Sequence, residues 1–391
     1  MEIMLQVVGT LVLAVVFAYV IATVMVGIRS QALRTLLLNL IAFFQGVNVK
    51  WVTDPDLAVR VLRASGDKGD LIETLLSLPA WRPVVSLESV NGEQWQRMKL
   101  RFTKLTQVLQ PISELTTIFE MRGRELLASK TVIDALKLNE LSVACFYEWV
   151  FEREFDHNKF AVVCHATWEW RKQLALKGVA DCEVKQRTVE WCVEQVRRTP
   201  RLYEVFGEKW AEPEYYSLIL QPFVISPSIN LTDIAVAVAE WVKTTPVSQS
   251  ITPDIIRQCV CRAHPFPVIE RYFRYGDTEV DIAPNTHILV PLDEMALDAF
   301  AAGVDLTFGA GSRVCVGRHM AMKAMTGLFS DSFVRSDLFQ PRLEHKYSGR
   351  HNDGKETAAE TAYQLIFAIQ TVGSAAVTRL RKIYNSNSKE H

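Results

Sequence analysis

The most apolar part of the chain is its beginning, where no charged residue occurs between Ile3 and Ile28. A helix rises about 1.5 Å per residue, so this run is long enough to cross a hydrocarbon layer of about 30 Å. A cleavable signal peptide would have a shorter apolar core behind basic residues, whereas Glu2 is the only charge in front of this run. A helix in a globular core would usually show a polar stripe, which this run lacks. The pattern therefore predicts a transmembrane anchor.

Basic residues follow this run at once, at Arg29 and Arg34. Because positive charges favour the cytoplasmic side, they predict that the rest of the chain lies in the cytosol. The next apolar stretch, Thr35–Val47, is too short to span a bilayer and either lies at the membrane surface or begins the globular core. We therefore expect an anchor over residues 1–30, a juxtamembrane segment over 31–50 and one globular domain over 51–391.

Hydrophobic spacing in the globular part predicts a mainly α-helical protein with a small β region. From Ser86 to about Val260 apolar residues recur at helical spacing, as in Ile112–Ala128 and Glu183–Arg198. The stretch Val268–Pro291 is instead rich in β-branched and aromatic residues and contains Gly-Asp and Pro-Asn turns. This composition predicts short strands joined by hairpins. A helical pattern returns after Cys315.

Composition narrows the class of protein. The chain has 391 residues, of which 49% are hydrophobic and 22% charged, so it can bury a large core and is not a disordered chain. The formal net charge of −1 gives none of the basic excess that a nucleic-acid-binding protein usually has. Its seven cysteines are scattered without a CxxC pair, which disfavours a structural zinc site and favours reduced thiols in a cytosolic domain.

The strongest chemical signal is a glycine-rich loop with a cysteine, FGAGSRVCVGRHMA, over residues 308–321. Gly309 and Gly311 permit backbone conformations closed to other residues and let a flat ligand approach. Arg313 supplies a cation, and Gly317 stands where the loop turns into a helix, whose N-terminus favours a thiolate at Cys315. A thiolate in such a loop is a suitable axial ligand for haem iron. The alternative is a plain glycine-rich turn with a buried cysteine.

This loop resembles the haem-binding loop of cytochromes P450, FxxGxRxCxGxxxA, at every fixed position. The matching residues are Phe308, Gly311, Arg313, Cys315, Gly317 and Ala321. The resemblance implies that Cys315 ligates the iron, that Phe308 packs near the thiolate and that Arg313 pairs with a haem propionate.

The segment Cys259–Arg271 resembles the family's ExxR helix and the strand that follows it. The resemblance places Arg262 on the arginine of that motif, His264 on the following His-Pro pair, and Arg271 on a propionate-binding arginine. Cys259 replaces the motif's glutamate, and a buried Arg262 without an acid would be unfavourable. Three acids in the next loop are candidate substitutes: Asp293, Glu294 and Asp298. We also expect Cys259→Glu to be tolerated if Arg262 lacks a partner.

Two further departures from the family's pattern lie after this helix in the sequence. Asn285 replaces the glycine of the family's IPxGTxVxV strand, and asparagine is the usual substitute where a left-handed residue is needed. The segment between Leu292 and Phe308 is short, and the family's PxRF element is not visible in it.

Two other motifs match less well. Ser89–Phe102 resembles the GxxWxxxR helix, in which Trp95 and Lys99 would donate hydrogen bonds to a propionate; a tryptophan there is equally typical of a helix core. Ile229–Pro246 is placed on the oxygen-activating helix, with Thr244 and Thr245 as candidate catalytic residues that relay a proton. Lys243 replaces the usual acid, and a plain helix C-terminus is the competing interpretation.

The resemblance implies a cytochrome P450 fold behind one transmembrane helix, with haem b as cofactor. The implied activity is that of a haem-thiolate monooxygenase acting with O₂ on a lipophilic or specialised-metabolism substrate. Electrons would come from NADPH through a cytochrome P450 reductase, at the endoplasmic reticulum membrane with the catalytic domain in the cytosol. Two alternatives stay open: a haem protein without O₂ activation, such as a rearrangement enzyme or binding protein, and a truncated, catalytically dead relative.

Overall fold

The structure is a computed structural model that describes residues 46–64, 67–69, 71, 84–174, 181–264 and 268–341, with isolated positions at 35, 38, 39, 42, 43, 366 and 377. The predicted transmembrane segment Ile3–Ile28 lies outside the described residues, as does most of the juxtamembrane segment. The architecture of the predicted globular domain can therefore be compared with its sequence pattern from Asn48 onward.

Helices dominate this part of the chain, as predicted. The α-helices are α1 Pro55–Ala64, α2 Gly92–Val108, α3 Ile112–Ala128, α4 Ala135–Phe151, α5 Ala161–Leu174, α6 Cys182–Arg197, α7 Pro200–Phe206, α8 Pro213–Ile219, α9 Ser226–Thr244, α10 Pro253–Arg262, α11 Leu292–Ala301, α12 Arg318–Leu328 and α13 Asp331–Val334. Side-chain caps set several starts: Asp134 accepts the N–H of Lys137 at 2.9 Å before α4, and Thr252 accepts that of Ile255 before α10. The predicted helix Ile112–Ala128 is confirmed residue for residue, and Glu183–Arg198 is shifted by one.

Three short strands form one sheet in the order β1–β3–β2. They are β1 Asn48–Trp51, β2 Ile269–Phe273 and β3 Thr286–Val290. Antiparallel pairing of β2 with β3, with Arg271 opposite Ile288, confirms the hairpin predicted over Val268–Pro291. The parallel pairing of β1 with β3 has no counterpart in the sequence analysis.

Two hydrophobic cores organise the described chain. The larger lies among the helices, and the smaller joins the sheet to α1 and α11. Helix α12, which follows the Cys315 loop, packs closely on α3: a Cβ added at Gly327 would lie 2.6 Å from the carbonyl oxygen of Thr116. This close contact fixes the position from which the loop leaves the helical core.

One helical stretch among the described residues is long and apolar enough to cross a membrane, namely Pro213–Thr244. Within its most apolar window 72% of the residues are buried inside the protein, and Phe223 stacks on Phe102 of α2 with ring centroids 5.9 Å apart. These contacts are those of a central core helix. The stretch consists of α8, a π-helical segment Leu220–Ile225 and α9. Pro222 and Pro227 have no N–H to donate, which interrupts the regular hydrogen bonding here.

A buried lysine between α5 and α6 gives a first prediction. Lys185 is 1% exposed, its Nζ has no hydrogen-bond partner in the described chain, and it lies 5.0 Å from the centre of the Trp170 ring. Burial lowers the pKa of Lys185 to about 8, although Cys182 and Glu169 act in the opposite direction. The charged form is therefore disfavoured in the folded state.

We expect Lys185→Met to raise the free energy of unfolding at pH 7 by on the order of 2 kcal/mol. The wild type should also gain stability as the pH rises from about 8 towards the pKa of an unfolded lysine, because only the unfolded state then keeps the proton. The variant should lack this rise. Urea unfolding across that pH range measures both effects, with the exposed Lys137→Met as control; a wild-type stability that falls in this window would contradict the prediction.

Candidate functional site

The loop that carries Cys315 connects α11 to α12, and two of its glycines adopt left-handed backbone angles. Gly309 has φ +72° and Gly311 has φ +75°. An added Cβ at Gly311 would lie 2.0 Å from the carbonyl oxygen of Leu62, because the loop rests on the end of α1. The predicted need for glycine is confirmed at both positions, and at Gly311 it comes from both the backbone angle and the close packing.

Cys315 is held by backbone hydrogen bonds. Its N–H donates to the carbonyl oxygen of Phe308 at 3.0 Å, and Phe308 packs against the larger core. The residue is exposed, yet the protein around its sulfur raises the pKa of the thiol to about 11, and the N–H of Gly317 acts in the opposite direction. Gly317 is the N-cap of α12 with φ −87°, so this turn does not require a left-handed glycine. A thiol so placed becomes a ligand only where a metal ion displaces its proton.

Three of the predicted cofactor-binding residues meet beside this loop. The guanidinium of Arg313 and the ammonium of Lys99 both lie over the Trp95 ring, at 4.8 and 4.7 Å from its centre. Lys99 also donates from Nζ to the carbonyl oxygen of Ser312 at 2.8 Å. Trp95 is half-buried and packs against the larger core on one side. The tryptophan is therefore both a core residue and part of the cationic cluster, which combines the two interpretations of its motif.

Arg313 is anchored to the segment that precedes α2. It donates to the carbonyl oxygens of Leu87 and Val90 at 3.2 and 2.9 Å and to Oδ1 of Asn91 at 2.5 Å. Asn91 in turn bonds the backbone of Lys68 in both directions. Burial lowers the pKa of Arg313, while the carboxylates of Glu88 and Asp67 oppose this change. The guanidinium of Arg313 thus joins the Cys315 loop to α2 and to the segment that precedes α2.

Arg271 projects from β2 and is 1% exposed. It donates from Nη1 to the carbonyl oxygen of Glu270 at 2.8 Å, but its Nε has no hydrogen-bond partner in the described part of the chain. Burial lowers the pKa of Arg271 to about 10, and the charge of Arg313 lowers it further, against the opposing effect of Glu88 and Glu270. A buried guanidinium near a second cation is unfavourable unless an anion approaches it.

The two candidate catalytic threonines lie at the end of α9. Thr244 is exposed, and its hydroxyl donates to the carbonyl oxygens of Glu240 and Trp241 in its own helix. Thr245 is the C-cap residue. The helix starts before the predicted Ile229, since α8 and the π segment continue into α9. It ends at Thr244, so both threonines lie at a helix C-terminus, as in the competing interpretation. This placement gives no support to a proton relay, which stays a prediction.

In the helix that resembles ExxR, the cysteine is buried and the arginine is exposed. Cys259 is 3% exposed, whereas Arg262 at the end of α10 is exposed and makes no ion pair within the described ranges. Arg262 therefore does not need the acid that was sought in Asp293, Glu294 or Asp298. His264 is buried, with Nε2 3.2 Å from the carbonyl oxygen of Thr307. The predicted left-handed Asn285 is confirmed, with φ +56°.

This burial reverses the expectation for Cys259→Glu. Burial raises the pKa of the Cys259 thiol to about 12 even though Arg262 opposes the change, so an anion here is disfavoured. We now expect the substitution to lower the free energy of unfolding by at least about 2 kcal/mol. Urea denaturation measures the change, and the exposed Cys182→Glu provides the matched control. Equal stability of the two variants would show that a glutamate at position 259 reaches Arg262.

Three features of the structure escaped the sequence analysis. One is the π segment, where the Oε1 atom of Gln221 is buried without a hydrogen-bond partner among the described residues. Another is the role of Asn91 in holding Arg313. The third is a buried pair behind β2, in which Nδ1 of His287 lies 2.5 Å from Oε1 of Glu270. Pro222 and Pro227 were the only sequence signal for the π segment. No local pattern indicated the role of Asn91 or the pair of His287 and Glu270.

Known structures with this arrangement of elements are cytochromes P450. CYP175A1 from Thermus thermophilus superposes with a TM-score of 0.52 at 13% identity, over 73% of this chain and 82% of its own. CYP109Q5 from Chondromyces apiculatus gives 0.52 at 16% identity, over 76% and 88%. A six-coordinated cytochrome P450 from a second strain of Thermus thermophilus gives 0.51 at 13% identity, over 73% and 84%. Neither a family model nor a curated protein matches the chain. The chain thus has the cytochrome P450 fold.

Proposed function

We propose that this chain, which has the fold of cytochromes P450, is a haem-thiolate monooxygenase. The observation that carries the proposal is the arrangement around Cys315: a thiol on a loop with left-handed glycines, together with the buried guanidiniums of Arg313 and Arg271 and the half-buried Lys99. Arg271 has a lowered pKa and an Nε without a partner among the described residues, as expected of a cation whose anionic partner is a bound cofactor. The two propionates of haem b are anions suited to this cluster.

Each side chain then has a definite task. Cys315 would supply the axial thiolate, and Arg271, Arg313 and Lys99 would hold the propionates, with the indole N–H of Trp95 as a further donor. The absence of a side chain at Gly311 lets the loop rest against α1, which would help to hold Cys315 for ligation. Haem with a thiolate ligand supplies reductive activation of O₂ when it is bound. The protein contributes the ligand, charge compensation and an apolar interior.

Partners and location belong to the same proposal. Oxygen insertion needs electrons, which we expect from NADPH through a cytochrome P450 reductase. The uncharged run Ile3–Ile28 followed by Arg29 supports a single-span anchor, at the endoplasmic reticulum, with the catalytic domain in the cytosol. An enzyme held at a membrane meets lipophilic substrates dissolved in the bilayer. A lipophilic or specialised metabolite is therefore the substrate class that we favour.

A second candidate function is a haem protein that does not activate O₂. It is favoured by Thr244, which faces solvent at the end of α9, and by the prolines that occupy the middle of the same helical stretch. A non-oxidative rearrangement enzyme or a binding protein would keep Cys315 and the cation cluster without a proton relay. The two candidates differ in whether NADPH is consumed with substrate.

The ferrous–CO difference spectrum of membranes that carry the full chain tests whether the protein binds haem through a thiolate. A red-shifted Soret band of the thiolate–CO type is expected. A band typical of a neutral ligand, or complete absence of haem, would overturn both candidates in favour of a catalytically dead P450-like protein. With the thiolate band present, NADPH-dependent O₂ consumption with an added reductase separates monooxygenase from non-oxidative protein.

A further inference from the structure

A cleft of about 250 Å³ lies between α2 and α8. It is lined by Arg97, Met98, Leu100, Arg101, Lys104, Glu214, Tyr215 and Leu218. Met98 and Leu218 are buried and form an apolar floor, and Leu100 leaves 58% of its surface exposed at the rim. None of these residues belongs to the cationic cluster proposed to hold haem. The cleft therefore has its own chemistry, which does not depend on the proposed function.

The lining carries an excess of positive charge. Helix α2 presents Arg97, Arg101 and Lys104 at spacings of four and three residues, which places them along one face. Glu214 is the one acid among these lining residues, and it forms an ion pair with Arg97 at 2.9 Å. Arg101 and Lys104 form no ion pair in the described part of the chain. Two cations thus face the cleft without an ion pair to a described carboxylate, because Glu214 is paired with Arg97.

Arg101 is held in position by uncharged groups. Its Nη1 donates to the carbonyl oxygen of Val205 at 2.9 Å, and its guanidinium lies 5.0 Å from the centre of the Tyr215 ring. Both contacts orient the planar group while leaving its charge uncompensated. A guanidinium fixed in this way presents its remaining N–H donors to an oxyanion at little further entropic cost.

We infer that this cleft binds an amphiphile whose head is a phosphate or carboxylate and whose short apolar body covers the exposed Leu100 at the rim. The head would be paired with Arg101 and Lys104. An inorganic anion alone would leave Leu100 exposed to solvent, and an uncharged ligand would leave the two cations without an anionic partner. Such a head group can come from a membrane lipid or from a soluble amphiphile, and the chemistry of recognition is the same for both.

Titration of the full chain with octyl phosphate, followed by calorimetry, tests this inference. We expect Arg101→Gln to weaken binding by about tenfold or more, and Lys104→Gln to weaken it by a smaller factor. Arg124→Gln on α3 removes the same charge from an exposed residue outside the cleft and should leave the affinity unchanged. Leu100→Ser should weaken octyl phosphate binding more than binding of inorganic phosphate.

Equal weakening by Arg101→Gln and Arg124→Gln would overturn the inference, since it would show that only net charge matters. Unchanged binding in Arg101→Gln would overturn it as well. Thermal unfolding of each variant identifies a failure to fold, and Arg101→Lys keeps the charge if the glutamine variant is unstable. Competition by phosphatidic acid in phosphatidylcholine bilayers then distinguishes the two sources of the head group. Displacement of octyl phosphate would identify the ligand as a membrane lipid. Octyl phosphate that stays bound would identify it as a soluble amphiphile.

Discussion

Cys315→Ser is expected to abolish the thiolate–CO Soret band and NADPH-dependent substrate oxidation. A serine hydroxyl is a poor and hard donor, and it cannot supply the electron density that a thiolate gives to iron. The change removes little volume from an exposed position, so the fold should survive. Haem would then be absent or ligated by another group, and its CO complex would absorb at the position typical of a neutral ligand.

Two comparisons make this result specific. Cys182→Ser changes the other exposed cysteine, on α6, and should keep both the spectrum and the activity. Far-ultraviolet circular dichroism of Cys315→Ser should match the wild type, which separates lost ligation from lost folding. If Cys315→Ser retained the thiolate band, one of the six other cysteines would have to be the ligand, and the proposed role of the 308–321 loop would be wrong.

Local backbone requirements were the part of the site that sequence could predict. Gly309, Gly311 and Asn285 all adopt left-handed angles, and each can be inferred from residue type because few other residues tolerate them. The helix Ile112–Ala128 was equally predictable, since its apolar spacing is a property of neighbouring residues alone. In these cases the physical cause lies within a few residues of its effect.

Relations between distant segments could not be predicted in this way. The parallel pairing of β1 with β3 joins Asn48 to Thr286, and no local pattern encodes such a partner. The continuity of the central helix was missed: the sequence analysis began this helix at Ile229, whereas a π segment joins α8 to α9 in one continuous helical stretch. Thr244 was a candidate proton relay through the resemblance alone, and it lies in solvent at the C-terminus of α9, as the competing interpretation had it. The burial of Cys259 and the exposure of Arg262 likewise depend on packing that a motif does not specify.

Gly311→Ala should disturb the Cys315 loop far more than a glycine replacement normally does. An alanine at φ +75° costs about 1 kcal/mol, and its Cβ would also lie 2.0 Å from the carbonyl oxygen of Leu62. Because that oxygen belongs to the backbone of α1, it cannot move away as a flexible side chain can. Together the two effects should lower the free energy of unfolding by about 3 kcal/mol, or displace the loop and reduce haem retention.

Gly303→Ala is the matched control, because Gly303 has φ +85° but no described atom within 4 Å of an added Cβ. Its loss of stability should be about 1 kcal/mol, from the backbone angle alone. The difference between the two variants in urea unfolding therefore measures the contact between loop and α1. Equal losses would show that the loop does not rest on Leu62. A larger loss at Gly311, accompanied by loss of the thiolate band, would show that this contact holds Cys315 in the position that ligation requires.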